Sequence, residues 1–177
     1  MKTLKLLKTL AFVCIVLVSF NMNAQKFPGL DASPMDAALY RAERNGPVLA
    51  KVVYSRPQLK GRTLNSLAPE GKVWRTGANE SSEITLYKDT TIGGKNVKAG
   101  TYTMFTIPGA KEWTIILNSD TNTWGAYAYD QSKDVLRVTA PATMANDPVE
   151  AFAITFDKEG TMYLGWDKVS VAVPTFH

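Results

Sequence analysis

Cysteine is nearly absent: Cys14 is the single copy, inside an apolar N-terminal run, and the lone histidine is the last residue, His177. Beyond residue 24 the chain therefore has neither a disulfide nor a thiol nucleophile. One terminal histidine excludes a Ser-His-Asp triad and the Cys/His zinc patterns. A glycine-rich phosphate loop opening a helix is missing too, because Gly93-Gly94 stands between strand signals. An excess of charge of one sign is also lacking. The chain holds 20 Lys+Arg against 16 Asp+Glu, and Lys2, Lys5 and Lys8 belong to the leader, which leaves 17 against 16. The sequence pI near 9.1 thus carries no message about nucleic acid, and aromatic and basic residues do not interleave as single-strand binding requires. No cofactor is implied.

What is present begins with an address. Basic Lys2, Lys5 and Lys8 precede an apolar run from Leu10 to Phe20, too short to span a bilayer, and Met22-Asn23-Ala24 offers small-residue cleavage chemistry before Gln25. Residues 1–24 are therefore expected to be a signal peptide cleaved after Ala24. The mature protein would be periplasmic or extracellular, with no membrane span left. An uncleaved anchor is the alternative, but no stop-transfer pattern follows. Removing 24 of 177 residues leaves 153, the size of one domain that buries roughly 70% of its unfolded surface and needs no staples.

Residues 25–47 read as a lead-in and residues 48–177 as a single β domain. In the lead-in, Ser33 can cap a short helix with Pro34 at its first position, and Asn45-Gly46-Pro47 would stop it. An extended arm on a sheet edge is the other reading. From Val48 the period becomes two. Val48–Tyr54 and Glu83–Lys88 read as strands, and Thr91-Ile92-Gly93-Gly94-Lys95-Asn96-Val97 reads as a tight hairpin. Thr101–Ile107, Trp113–Leu117, Trp124–Tyr129 and Val135–Thr139 follow. Ala151–Phe156 and Met162–Trp166 flank a glycine-containing loop, and Val169–Val173 comes last. About nine to ten strands at this spacing predict an all-β antiparallel sandwich or barrel.

Chemistry-bearing side chains concentrate between Tyr54 and Glu80. Arg56, Arg62 and Arg75 suit two-pronged recognition of carboxylates or phosphates, Trp74 offers a stacking face, and Asn79 and Glu80 can complete hydrogen bonds. The same residues can instead form a structural network, with Arg75 paired to Glu80 or a remote acid and Gly77 and Asn79 in a turn. Trp124, Tyr127 and Tyr129 are candidates for a sugar-binding face or for core positions. Other chemistries fit less well. Asp120–Gly125 begins like a calcium loop, but Trp124 takes a ligand position and Gln131 replaces the bidentate glutamate. Glu80 and Glu83 would face opposite sides of an extended chain, and nothing brings Glu80 to Asp130 or Asp134 as a glycosidase pair.

Most of the chain resembles a known family. The matching runs are Ser33-Pro34-Met35-Asp36, Tyr54-Ser55-Arg56-Pro57 with Gly61-Arg62, and Gly71-Lys72-Val73-Trp74-Arg75-Thr76-Gly77-Ala78-Asn79-Glu80. They continue with Ile92-Gly93-Gly94, Ala99-Gly100-Thr101-Tyr102, Phe105-Thr106-Ile107-Pro108, Glu112-Trp113-Thr114-Ile115-Ile116, Trp124-Gly125-Ala126-Tyr127 and Lys133–Val138. The family comprises exported bacterial proteins known as a domain of unknown function, DUF2911. The resemblance implies a shared fold and supplies no mechanism. One departure is that Thr63-Leu64-Asn65-Ser66 replaces a glycine expected soon after Arg62. The functional expectation is an exported, non-catalytic β domain that binds a small polar or anionic ligand, a glycan or an envelope partner. An enzyme using Glu80 with the arginines, and a purely structural envelope module, are the alternatives.

Overall fold

Alternating burial turns most of the chain into one curled antiparallel sheet. The computed structural model describes residues 25–175; the expected signal peptide and His177 lie outside the described residues. Seven strands pair in the order β1-β2-β3-β6-β7-β8-β9: β1 (Met35–Tyr40), β2 (Ala50–Ser55), β3 (Glu83–Leu86), β6 (Gly100–Ile107), β7 (Glu112–Asn118), β8 (Asp134–Phe156) and β9 (Met162–Val173). A separate hairpin is formed by β4 (Thr90–Ile92) and β5 (Lys95–Val97). Its register, Ile92 opposite Lys95, leaves Gly93-Gly94 as a two-residue turn at φ 54° and 79°, a backbone that glycine adopts without strain. The fold is all-β with nine strands among the described residues, as the spacing predicts.

The lead-in is extended rather than helical. All six residues of β1 pair with β2, from Met35 opposite Ser55 to Tyr40 opposite Ala50, and Ala38 and Tyr40 are buried. Coiled as a helix, the same residues would leave the outer edge of β2 unpaired. On β2, Ala50, Val52 and Tyr54 point into the core. The alternation continues with Ile84 and Leu86 on β3, Ile115 and Leu117 on β7, and Leu136, Val138 and Ala140 on β8.

The longest strand closes the curl. β8 runs 23 residues; up to Pro141 it pairs with β7, and from Ala142 it pairs with β9. Its second half also meets the chain leaving β2, where Gln58 bridges Ala151, Phe152 N–H donates to Pro57 O at 2.9 Å and Leu59 N–H donates to Glu150 O at 3.0 Å. Two expected strands thus merge into β8 and two into β9. Bulges between Met144 and Ala153 absorb Asn146-Asp147-Pro148. The Tyr54 hydroxyl stitches the closure by accepting from Ile154 N–H at 2.9 Å.

Thr63–Ser66, the departure from the family pattern, makes a short helix, α1 (Leu64–Leu67). Thr63 caps it, its hydroxyl accepting from Ser66 N–H at 3.3 Å. The expected strand over Trp124–Tyr129 is instead a turn. Tyr129 packs edge-on against Phe105 at 5.1 Å on the outer face of β6, while Trp124 and Tyr127 turn to solvent. Alternating aromatics here reflect one ring that covers a sheet face and two that do not.

Candidate functional site

The sequence cluster divides. Arg62, Trp74, Arg75 and Asn79 line one open cleft of about 540 Å³ together with Ser33, Tyr127 and Trp166, whereas Arg56 and Glu80 lie outside it. That volume falls in the range of roughly 300–1,000 Å³ usual for small-molecule sites. No Asp or Glu is among the lining residues.

Each residue has a different job. Arg56 is a structural tie: its Nε donates to Phe152 O at 2.9 Å and its Nη1 to Asp36 Oδ2 at 3.1 Å, fastening β1 to β8. Arg62 folds back on its own turn, with Nε to Leu59 O at 2.9 Å and Nη2 to Gln58 O at 2.7 Å. Trp74 is core, only 7% exposed, stacked on Trp166 at 5.4 Å and edge-on to Phe152 at 5.0 Å and Trp113 at 6.1 Å. It reaches the cleft as part of its floor. Glu80 is exposed and pairs through its backbone with Trp124.

Arg75 behaves otherwise. Among the described residues it has no carboxylate within 4.0 Å, and its side chain's only hydrogen bond to protein is a long one of 3.4 Å from Nε to Gly77 O. Its guanidinium lies 5.8 Å from the centre of the Trp124 ring. Neither terminal nitrogen donates to protein among the described residues. Beside it Asn79 donates through Nδ2 to Asp31 at 3.2 Å, which leaves its side-chain oxygen an acceptor.

The cleft wall is strained. Thr76 and Asn79 hold left-handed backbone at φ 56° and 58°. For a β-branched residue this is a rare conformation, and such positions cost on the order of 1–3 kcal/mol each. Thr76 is held in place by Ser82 Oγ donating to its carbonyl at 2.7 Å and by its own hydroxyl meeting Thr106 Oγ1 at 3.2 Å. The fold spends stability to shape this loop.

The second wall is the turn carrying Trp124 and Tyr127. It is sewn to the first through Gly125 N–H to Asn79 O at 3.1 Å, Ser81 N–H to Thr123 O at 3.0 Å, and Ser81 Oγ to Gly125 O. Gly125, at φ 70°, is needed for close approach: a Cβ there would stand 2.6 Å from Tyr127 Cε2 and 3.5 Å from Arg75 Nη1. The tyrosine ring and the guanidinium thus converge over one glycine. Nothing in the sequence distinguishes Tyr127 from Tyr129, since only the turn decides which ring faces outward.

Tyr129 anchors the far end of that turn. Its hydroxyl donates to Asp134 Oδ2 at 2.7 Å and accepts from Arg137 Nη2 at 2.7 Å. Burial, followed by the bond to Asp134, pushes its pKa up from 10.0 to about 12. The unfolded chain releases this proton near pH 10 while the folded one retains it. The stability it contributes is complete below pH 10 and is lost as pH rises to about 12. Unfolding midpoints of the wild type and Tyr129→Phe, measured between these pH values, are expected to converge as pH rises; parallel curves would contradict the assignment.

Among the described residues no helix is long and apolar enough to cross a membrane. Comparison with curated proteins and with solved structures gives no match. A family comparison does: the family described as a protein of unknown function, DUF2911, matches residues 33–175, from the arm before β1 through the end of β9 and including every element of the cleft. The chain therefore belongs to the DUF2911 family.

Proposed function

We propose that this protein is an exported, non-catalytic β domain that binds a small polar or anionic ligand in the cleft between Arg75 and Tyr127. The observation that carries this reading is the Arg75 fork, which has no carboxylate partner among the described residues, in an open cleft whose lining residues include no Asp or Glu. A cation kept for folding is expected to have a partner, as Arg56 has in Asp36. The basic leader and the Met22-Asn23-Ala24 cleavage chemistry support export. A catalytic reading finds less support, because Glu80 stands apart from the arginine it would have to assist.

The test is a thermal-shift screen against small anions, polar metabolites and saccharides. A ligand at 100 times its Kd stabilises by about 2.7 kcal/mol. The expected result is at least one compound that raises the Tm of the wild type in a concentration-dependent way and fails with Arg75→Ala. No stabilising compound, or stabilisation untouched by that substitution, would sink the reading. Mass spectrometry of exported protein should find Gln25 at the N-terminus, and retention of Met1 would sink the cleavage.

A further inference from the structure

Resting on the cleft reading, we infer that the ligand is a carboxylated sugar, a hexuronate-type pyranose whose ring lies on Tyr127 and whose carboxylate meets the Arg75 guanidinium. Four observations converge on it. Tyr127 is 82% exposed and Trp124 59%, and the rings lie 5.6 Å apart and nearly parallel at 12°. Stacking on Trp124 rigidifies the tyrosine and leaves its other face for a flat partner. The apolar face of a pyranose, with its axial C–H bonds, meets that requirement at little ordering cost.

The second observation is Arg75, with two terminal nitrogens free of protein bonds and its plane near the same glycine as Tyr127. One planar fork matches one carboxylate. The third is that no Asp or Glu is among the lining residues, and the one carboxylate beside them, Asp31, is held by Asn79 Nδ2 at 3.2 Å and Ser33 N–H at 2.7 Å on the wall away from Tyr127. The fourth is the polar complement on the other wall: the Asn79 carbonyl oxygen and the Ser33 hydroxyl can exchange hydrogen bonds with ring hydroxyls. A nucleotide would also stack. Its phosphates, however, call for several converging donors, and Arg62 already spends two of its donors on Leu59 and Gln58.

The experiment is ligand-observed NMR and calorimetry on the purified protein, with glucuronate, its methyl ester, glucose and AMP as probes. Arg75→Ala and Tyr127→Ala are measured alongside, each first shown to remain folded. Glucuronate is expected to bind, the ester and glucose at least tenfold more weakly, and each substitution to weaken glucuronate at least tenfold. Equal binding of glucose and glucuronate, or binding unaffected by Tyr127→Ala, would overturn the carboxylated-sugar assignment. Arg75-dependent binding of AMP without glucuronate would overturn it too, yet leave the cleft a binding site. Failure of all four probes would overturn this assignment, whereas the broader reading falls only if the wider screen is also empty.

Discussion

Replacing Trp74 with alanine is expected to remove about 3–5 kcal/mol of stability, the usual cost of truncating a buried tryptophan. Its ring sits at the junction of three others, stacked on Trp166 and edge-on to Phe152 and Trp113, with its backbone paired to Thr106 in both directions. Those rings come from β7, β8 and β9, so no single neighbour can collapse into the space. Against a total of about 5–15 kcal/mol for a natural domain, such a loss is a large fraction of the stability. Urea unfolding checks it: the midpoint should fall sharply while the slope stays constant. A loss below about 1 kcal/mol would place Trp74 outside the core and return it to the list of ligand-stacking groups.

Asp134→Ala should be the second large effect, about 2–3 kcal/mol. The carboxylate is only 10% exposed and accepts from Asn118 Nδ2 at 2.9 Å, Tyr129 Oη at 2.7 Å and Arg137 Nη2 at 3.1 Å. Removing it takes the shared acceptor from Asn118, Tyr129 and Arg137; Arg137 keeps Tyr129 Oη and Asn118 keeps Asp130 O, and Arg137 is 34% exposed, so water softens the penalty for the guanidinium. Breaking a fully buried pair would cost about 3–5 kcal/mol, which sets the ceiling. A second consequence follows from position. Tyr129 ends the turn that carries Trp124 and Tyr127, so amide exchange across residues 124–129 should quicken more than exchange in β2 or β3. Uniform change across the sheet would show that Asp134 acts globally instead.

Local chemistry made part of this architecture readable. Gly93-Gly94 between β-branched runs specifies a hairpin whatever surrounds it, and the alternation of Glu83–Leu86 assigns a buried face without tertiary knowledge. The length of β8 was not readable. Val135–Thr139 and Ala151–Phe156 read as separate strands, yet Pro141 between them sits where β8 passes from β7 to β9 and Pro148 sits in a bulge, neither of which a local window contains. The lead-in shows the same limit, because Asp36–Tyr40 has helical propensity and becomes a strand only because β2 offers an edge.

The site divided along similar lines. Arg56 and Arg75 are the same residue type in the same run, and composition cannot rank them. Arg56 is structural because Phe152, 96 positions away, presents a carbonyl to it. Arg75 is available because, among the described residues, no carboxylate comes within 4.0 Å of it. Long-range closure of the curled sheet decides both.

The most direct measurement is thermal unfolding of Arg75→Ala beside Arg56→Ala. Arg56→Ala should lose about 1–2 kcal/mol, since it breaks the tie between β1 and β8. Arg75→Ala should lose less, about 0.5–1 kcal/mol, the contribution of its contact with the Trp124 ring. A loss from Arg75→Ala that equals or exceeds that of Arg56→Ala would make Arg75 a structural residue and contradict its role as the recognition group of the cleft.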